Sequence, residues 1–377
     1  MLRVIHIVES LDNSSGGPAV CVPLLVKYLN NNTIENYIFS IEQRSGEKNQ
    51  IIDSNKNLNV IKTQIMGFKK IKFSLELKSE ILKKINKDTI IHVHTLWNYP
   101  TYIGYKISKE YNIPLVVSIR GTMYPWALRQ SKYIKKIAML LFQRRMLEAA
   151  DLIHVTAQSE VESLSAIDIV NDFALVPDGV EINKVHDETN KKILEKINYS
   201  KEKFYILFVG RIVKNKGIHY LLDYFIRNGK THPNVEVLIM GEIEDKKYFD
   251  SLRVCDQVNF IGAMYGIEKH TIFSISSLFV LPSYSENFGI SIAEAMVYKI
   301  PVITTTGTPW LTIKENNAGW VVDLSQENID VAINDALQTD LIELRRMGKL
   351  GRNIVEDFSW FKQAQKMRSY YNQIKKG

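Results

Sequence analysis

Leu278-Phe279-Val280-Leu281-Pro282-Ser283-Tyr284-Ser285-Glu286-Asn287-Phe288-Gly289-Ile290-Ser291-Ile292-Ala293-Glu294-Ala295-Met296 runs from four unbroken apolar residues through a polar loop into a segment of helical period. An apolar run closed by Pro reads as a buried strand, and the segment opened by Gly289 reads as a helix. Glu286 therefore sits in the loop and Glu294 on the helix, with seven residues between the two carboxylates. A helix beginning near Gly289 puts Glu294 roughly one and a half turns in. Two acceptor groups at different depths suit one elongated ligand. Ser291, Ala293 and Ala295 leave room beside Glu294, while the first N–H groups and the positive dipole end suit an anion. Taken alone, the same residues also describe a solvated loop and a surface helix.

The strand–loop–helix unit repeats along the chain. Strands are read at Arg3 to Val8, Ile90 to His94, Leu115 to Ser118 and Leu152 to Thr156. After a Lys-, Asn- and Glu-rich stretch from Asn183 to Glu202, they restart at Tyr205 to Val209, Val235 to Met240, Val258 to Ile261, Leu278 to Leu281 and Val302 to Thr304. Alternating strands and helices define an α/β fold with parallel sheets. At 377 residues the chain exceeds the usual size of one core. Two tandem Rossmann-like domains are expected, spanning 1–183 and 184–357.

Ligands of such sheets bind beyond the carboxyl ends of the strands. After the strand Tyr205 to Val209 comes Gly210-Arg211-Ile212-Val213-Lys214-Asn215-Lys216-Gly217. The forked guanidinium of Arg211 and the point charge of Lys216 can together neutralise a diphosphate, and fixed cations at a departing diphosphate lower the barrier to its release. Lys214 is equally well read as solvated. Asp-x-Asp is absent from the sequence, so no metal held by that motif shares this task.

Gly-Arg with Lys-Gly following, Pro-Ser, Ser-Glu-Asn-Phe-Gly and a second Glu together resemble glycosyltransferase family 4, most specifically from Gly210 to Thr308. The resemblance implies the GT-B fold, two Rossmann-like domains facing a central cleft, with residues 358–377 as a helix crossing back to the first domain. It implies a retaining hexosyltransferase that uses a nucleotide diphosphate sugar and no metal or other cofactor. Arg211 and Lys216 would hold the diphosphate and Glu286 the transferred sugar. Glu294 would bind the ribose, and Gly210 and the amides of Asn287, Phe288 and Gly289 would complete the donor site.

In the first half, Ser14-Ser15-Gly16-Gly17-Pro18 follows the first strand and opens a helix. Gly16 and Gly17 are either donor-phosphate contacts, as the resemblance implies, or an ordinary tight turn. Gly-x-Gly-x-x-Gly is missing there, which argues against a nicotinamide enzyme. His92 and His94 share one face of a strand; packing inside the protein is the common fate of such residues, and a two-His metal site lacks visible further ligands. His94 and Trp97 are candidates for the cleft or acceptor. So is Arg120, which stands where many family members carry His and cannot shuttle a proton.

From Arg120 to Leu147 there is no Asp or Glu, and Arg129, Lys132, Lys135, Lys136, Arg144 and Arg145 interleave with Trp126, Tyr133, Ile134, Ile137, Leu140, Leu141 and Phe142. The stretch 126–145 is either a helix covering the core or a face that docks on an anionic membrane. The net charge of +7 fits anionic partners, but no nucleic-acid module accompanies it. Cys21 and Cys255 are too few for a disulfide framework. The opening residues, broken by Arg3, His6 and Glu9, do not resemble a signal peptide, and no apolar run approaches the roughly 20 residues of a spanning helix. A cytoplasmic protein, peripheral on the inner face of the membrane, is expected. The expected reaction carries a sugar from a UDP-sugar, with GDP-mannose next, to a lipid-linked saccharide in bacterial cell-surface polysaccharide (O-antigen, lipopolysaccharide or capsule) biosynthesis. A nucleotide-sugar epimerase and a non-catalytic binding protein of the same fold are the alternatives.

Overall fold

The computed structural model describes residues 1–12, 15–30, 33–42, 49–66, 72–129, 131–182 and 189–376. Ser14 and the first part of the stretch from Asn183 lie outside them, as does the side chain of Trp126. The chain divides into two units, Met1–Gly179 with Trp360–Gly377, and Val180–Ser359.

The first unit contains β1 (Leu2–Ile7), β2 (Ile34–Glu42), β3 (Asn59–Gln64), β4 (Thr89–His94), β5 (Leu115–Ser118), β6 (Leu152–Val155) and β7 (Phe173–Leu175), all parallel, in the order β3-β2-β1-β4-β5-β6-β7. The second contains β8 (Phe204–Val209), β9 (Val235–Met240), β10 (Val258–Phe260), β11 (Leu278–Leu281), β12 (Val302–Thr305) and β13 (Gly319–Val322), also parallel, in the order β10-β9-β8-β11-β12-β13. Helices cover such sheets on both faces, so the central strands read as continuous apolar runs. All four residues of β11 are buried, as are all six of β4.

Strand order reverses between β1 and β4 and again between β8 and β11. Chain segments leaving neighbouring strands at a reversal diverge to opposite faces and leave a crevice, the usual ligand position in doubly wound sheets. Gly16 follows β1 and His94 ends β4, and Lys216 and Glu286 follow β8 and β11. The sequence reading lacked β2, β3, β7 and β13. In β2 the polar Asn36 and Ser40 are fully buried and break the apolar pattern.

The final helix, Trp360–Lys376, packs against the helix Gly17–Leu29 within the first unit. Trp360 stacks so closely on Gly179 that a Cβ there would lie 2.6 Å from the indole. Farther along, the Arg368 guanidinium donates to the Leu29 carbonyl at 3.3 Å.

The basic stretch forms the helix Lys132–Ala138, a π-helical turn Met139–Gln143 and the helix Arg144–Glu148. Tyr133, Ile134, Ile137, Leu140 and Leu141 are exposed, with Tyr133 at 82% and Leu140 at 74%. No residue of Lys132–Ala138 is buried, so this segment does not serve as the core cover that its apolar content allowed. Among the described residues, no helix is long and apolar enough to cross a membrane.

Candidate functional site

The second unit brings two loops together at its strand-order reversal. After β8 the backbone makes a 3-10 turn, Lys214–Lys216, closed by Gly217 at φ 66°. Only Gly fits there, because an added Cβ would lie 1.9 Å from the Pro282 carbonyl oxygen, on the loop after β11. The loops are also joined directly. The Tyr284 amide donates to the Asn215 carbonyl at 2.9 Å, and the Asn215 side chain donates to the Ser285 carbonyl at 3.0 Å.

This joining sets Lys216 Nζ 2.5 Å from Glu286 Oε1. Ser283 Oγ donates to the same oxygen at 2.6 Å, and the Glu286 amide donates to the Gly307 carbonyl at 3.0 Å. The two charged side chains are only 17% and 9% exposed, so their pairing is weakly screened. Carbons of the Lys216 side chain lie 3.6–3.7 Å from where a Cβ on Gly210 would stand.

Gly289, at φ 76°, turns the loop into the helix Ile290–Val297, whose first N–H groups have no side-chain cap. Phe288 is buried beside Trp310 and Phe358, and the Trp310 indole N–H donates to its carbonyl. Asn287 lies between these anchored positions. Glu294 pairs with Lys269 at 2.7 Å, and Arg211 with Glu244 at 2.5 Å on an exposed surface. The four charged residues singled out in the sequence are therefore not one cluster: Lys216 and Glu286 face each other, while Arg211 and Glu294 each have a separate counterion. Ser283, Glu244 and Lys269 were assigned no role from sequence, and only the Pro-Ser dipeptide marked Ser283.

In the first unit, Gly16 lies at φ 76° and a Cβ on Gly16 or Gly17 would meet nothing within 4 Å. Beside them is a cavity of about 250 Å³ bordered by Glu9, Ser10, Ser15, Lys72 and Thr95, in which Lys72 pairs with Glu9 at 3.1 Å. The Trp97 indole N–H points to the Thr122 carbonyl at 3.4 Å, and Lys135 Nζ lies 5.7 Å from its ring centre. The Arg120 side chain is buried, its guanidinium 2.8 Å from Asp178. Glu160, also buried, accepts from the amides of Gly121 and Thr156, and burial raises its carboxyl above the usual range.

His94 is fully buried, with Nε2 3.0 Å from Nδ1 of His6. The neighbouring histidines form a chain whose direction follows from its last member. His154 Nε2 lies 2.8 Å from the Val176 carbonyl, which can only accept, so Nε2 carries the proton. Neutral His154 therefore accepts at Nδ1 from the Ser118 hydroxyl at 2.6 Å. Ser118 in turn accepts from His92 Nε2 at 2.7 Å, and His92 Nδ1 accepts from the Tyr371 hydroxyl at 2.6 Å. The relay thus pins the C-terminal helix to β4, β5 and β6. Burial pushes His154 down to about 4 and His6 to about 3, and holds His92 and His94 well below the ordinary value; neighbouring histidines and Arg120 add to the depression. Ring nitrogens of His6, His92 and His94 also lie within 4.8 Å of one another. For His92 to ligate an ion there, it would have to release Tyr371 or Ser118.

Two parallel doubly wound units, with a basic loop and an acidic loop joined at one strand-order reversal, define the GT-B class of fold. A family profile described as Glycosyltransferase Family 4 matches residues 15–184, and one described as Glycosyl transferases group 1 matches 189–354. The chain belongs to glycosyltransferase family 4. It is similar to the capsular polysaccharide biosynthesis glycosyltransferase CapM of Staphylococcus aureus, 29% identical over 52% of this chain and 52% of the relative. It is also similar to the alpha-monoglucosyldiacylglycerol synthase of Acholeplasma laidlawii, 21% identical over 59% of each. The chain thus spans little more than half the length of these two relatives. The fold matches that of Anabaena HepE, solved in complex with UDP and glucose, with a TM-score of 0.79, 16% identity, and coverage of 99% of this chain and 100% of that one.

Proposed function

We propose that the protein is a glycosyltransferase that moves a sugar from a nucleotide diphosphate sugar to a saccharide acceptor. The observation that carries this reading is the Lys216–Glu286 pair beside the uncapped start of the helix Ile290–Val297. A diphosphate arriving at that helix start meets Lys216, and Glu286 is released to accept hydrogen bonds from sugar hydroxyls. The bond between the anomeric carbon and the diphosphate oxygen breaks. The acceptor oxygen forms the new bond on the same face, and its proton passes to the departing phosphate. Charge on the leaving group is met by Lys216 and by Arg211 turned from Glu244, with no metal required. On this reading the second unit binds the nucleotide and the first binds the acceptor.

A UDP-sugar is favoured and GDP-mannose comes next, in line with the UDP complexes of HepE. The name of CapM points to surface polysaccharide, and that of the diacylglycerol enzyme to a lipid acceptor. Thermal shift against UDP-, GDP- and ADP-sugars, followed by turnover with acceptor, tests the reading. The UDP series should stabilise most, by roughly 2.7 kcal/mol at a hundredfold excess over Kd, and chelator should leave turnover unchanged. Absence of stabilisation by every nucleotide sugar would refute it, and conversion of the sugar without acceptor would establish an epimerase.

For a lipid-linked acceptor, the exposed Ile134, Ile137, Leu140 and Leu141 with Lys132, Lys136 and Arg145 form an apolar face flanked by cations, suited to an anionic bilayer. Lys135 is already committed to the Ala127 carbonyl at 2.6 Å. Cosedimentation with vesicles containing phosphatidylglycerol should fall at least tenfold in K132A/K136A/R145A. Unchanged binding would remove the membrane role and leave the transferase reading intact.

A further inference from the structure

The turn Lys214–Lys216 carries two lysines with different surroundings. Lys216 is paired with Glu286, whereas Lys214 is exposed and has no ion-pair partner among the described residues. Lys214 borders a groove of about 430 Å³ within the second unit, between the helices Ile218–Asn228 and Lys246–Asp250. His219, Tyr248 and Tyr284 form much of its wall, and Asp223 and Arg253 complete its polar part.

Aromatic faces are held in place there. The rings of His219 and Tyr284 stack at 6.2 Å and 30°. His219 Nδ1 lies 2.7 Å from the Tyr248 hydroxyl, and the hydroxyls of Tyr220 and Tyr284 are 3.1 Å apart. Tyr284 keeps 41% of its surface exposed. Asp223 and Arg253 neutralise each other at 3.4 Å, which leaves Lys214 as a net positive charge. Ordered aromatic faces offer contact to the C–H face of a pyranose at little entropic cost. An uncompensated ammonium adds preference for a carboxylate or phosphate on that sugar.

We propose that this groove is a second saccharide site, one that takes an acidic sugar unit of a glycan chain. The inference deepens the transferase reading, because the groove shares its edge with the donor loop. Tyr284, two residues before Glu286, is hydrogen-bonded to the turn that carries both lysines. Occupying the groove would hold an acidic glycan beside the reaction centre without using Lys216 or Glu286.

Titration calorimetry with a glucuronic acid oligosaccharide, in saturating UDP, tests the proposal. Saturable binding is expected, at least tenfold weaker for K214A/R253A and for Y248A, and at least tenfold weaker for a neutral cello-oligosaccharide of equal length. Lys214 and Arg253 are exposed, so the double variant should fold even if Y248A does not. UDP binding, measured on the same samples, should stay within twofold of wild type in K214A/R253A. No saturable binding, equal affinity of the double variant, or equal binding of the neutral oligosaccharide would overturn the proposal. Failure of UDP itself to bind would instead count against the donor-site reading, and the oligosaccharide titration without nucleotide would still decide the groove.

Discussion

Lys216→Ala is expected to lower turnover about 10²- to 10³-fold, the usual cost of removing one fixed group that meets developing negative charge. It should also destabilise the second unit. Glu286 is 9% exposed, and without Lys216 its carboxylate keeps Ser283 as the hydrogen-bond donor to Oε1 but loses its counterion. Stranding a charge in such a place costs on the order of 3 kcal/mol. The double variant Lys216→Ala, Glu286→Gln separates the two effects, because a neutral amide needs no counterion and Ser283 can still donate to its oxygen. Its melting temperature should return toward wild type while turnover stays low. Single-variant turnover within twofold of wild type would remove Lys216 from the chemistry.

Mild acid should destabilise the first unit through its buried histidines. His6, His92, His94 and His154 are buried neutral, with folded-state values below the ordinary 6.5. The unfolded chain therefore binds protons first as pH falls. Stability is retained above pH 6.5 and declines below it, by about 1.4 kcal/mol per pH unit for each histidine, until the folded form itself titrates. For His154 that point is near pH 4 and for His6 near pH 3. A melting temperature that falls steeply between pH 6.5 and 5 is the expected result, with a shallower fall in His154→Gln. Groups facing this cluster include Arg120, Asp178 and Tyr371. Of these, Arg120 and Tyr371 titrate far above the window, while the buried Glu160 carboxyl, raised above the usual range, takes up its proton first in the folded form and offsets part of the fall. A melting temperature flat over that interval would contradict the relay.

Much of this was legible in the sequence wherever information is local. Leu278 to Leu281 is apolar throughout because both faces of β11 are covered, so strand, loop and helix could be read in order. Gly217 and Gly289 mark the turns on either side of the site, and both adopt positive φ. By contrast, β13 is a short outer strand, only two of whose residues, Val321 and Val322, are β-branched, and β2 hides Asn36 and Ser40 in its interior. Neither has a period that separates it from a loop. The alternation of His92 and His94 was visible, but not what they contact.

Sequence alone thus determined the fold class, the position of the basic and acidic loops at strand ends, and the residue types available there. Tertiary structure decided which charges meet. Lys216 and Glu286 are 70 positions apart and become partners only because Gly217 lets one loop lie against the Pro282 carbonyl of the other. The same holds for His92 and Tyr371, 279 positions apart. Periodicity and turn chemistry are set by neighbours within a few residues, whereas a counterion or a tautomer is set by whatever the packed sheet and its helices bring within about 3 Å.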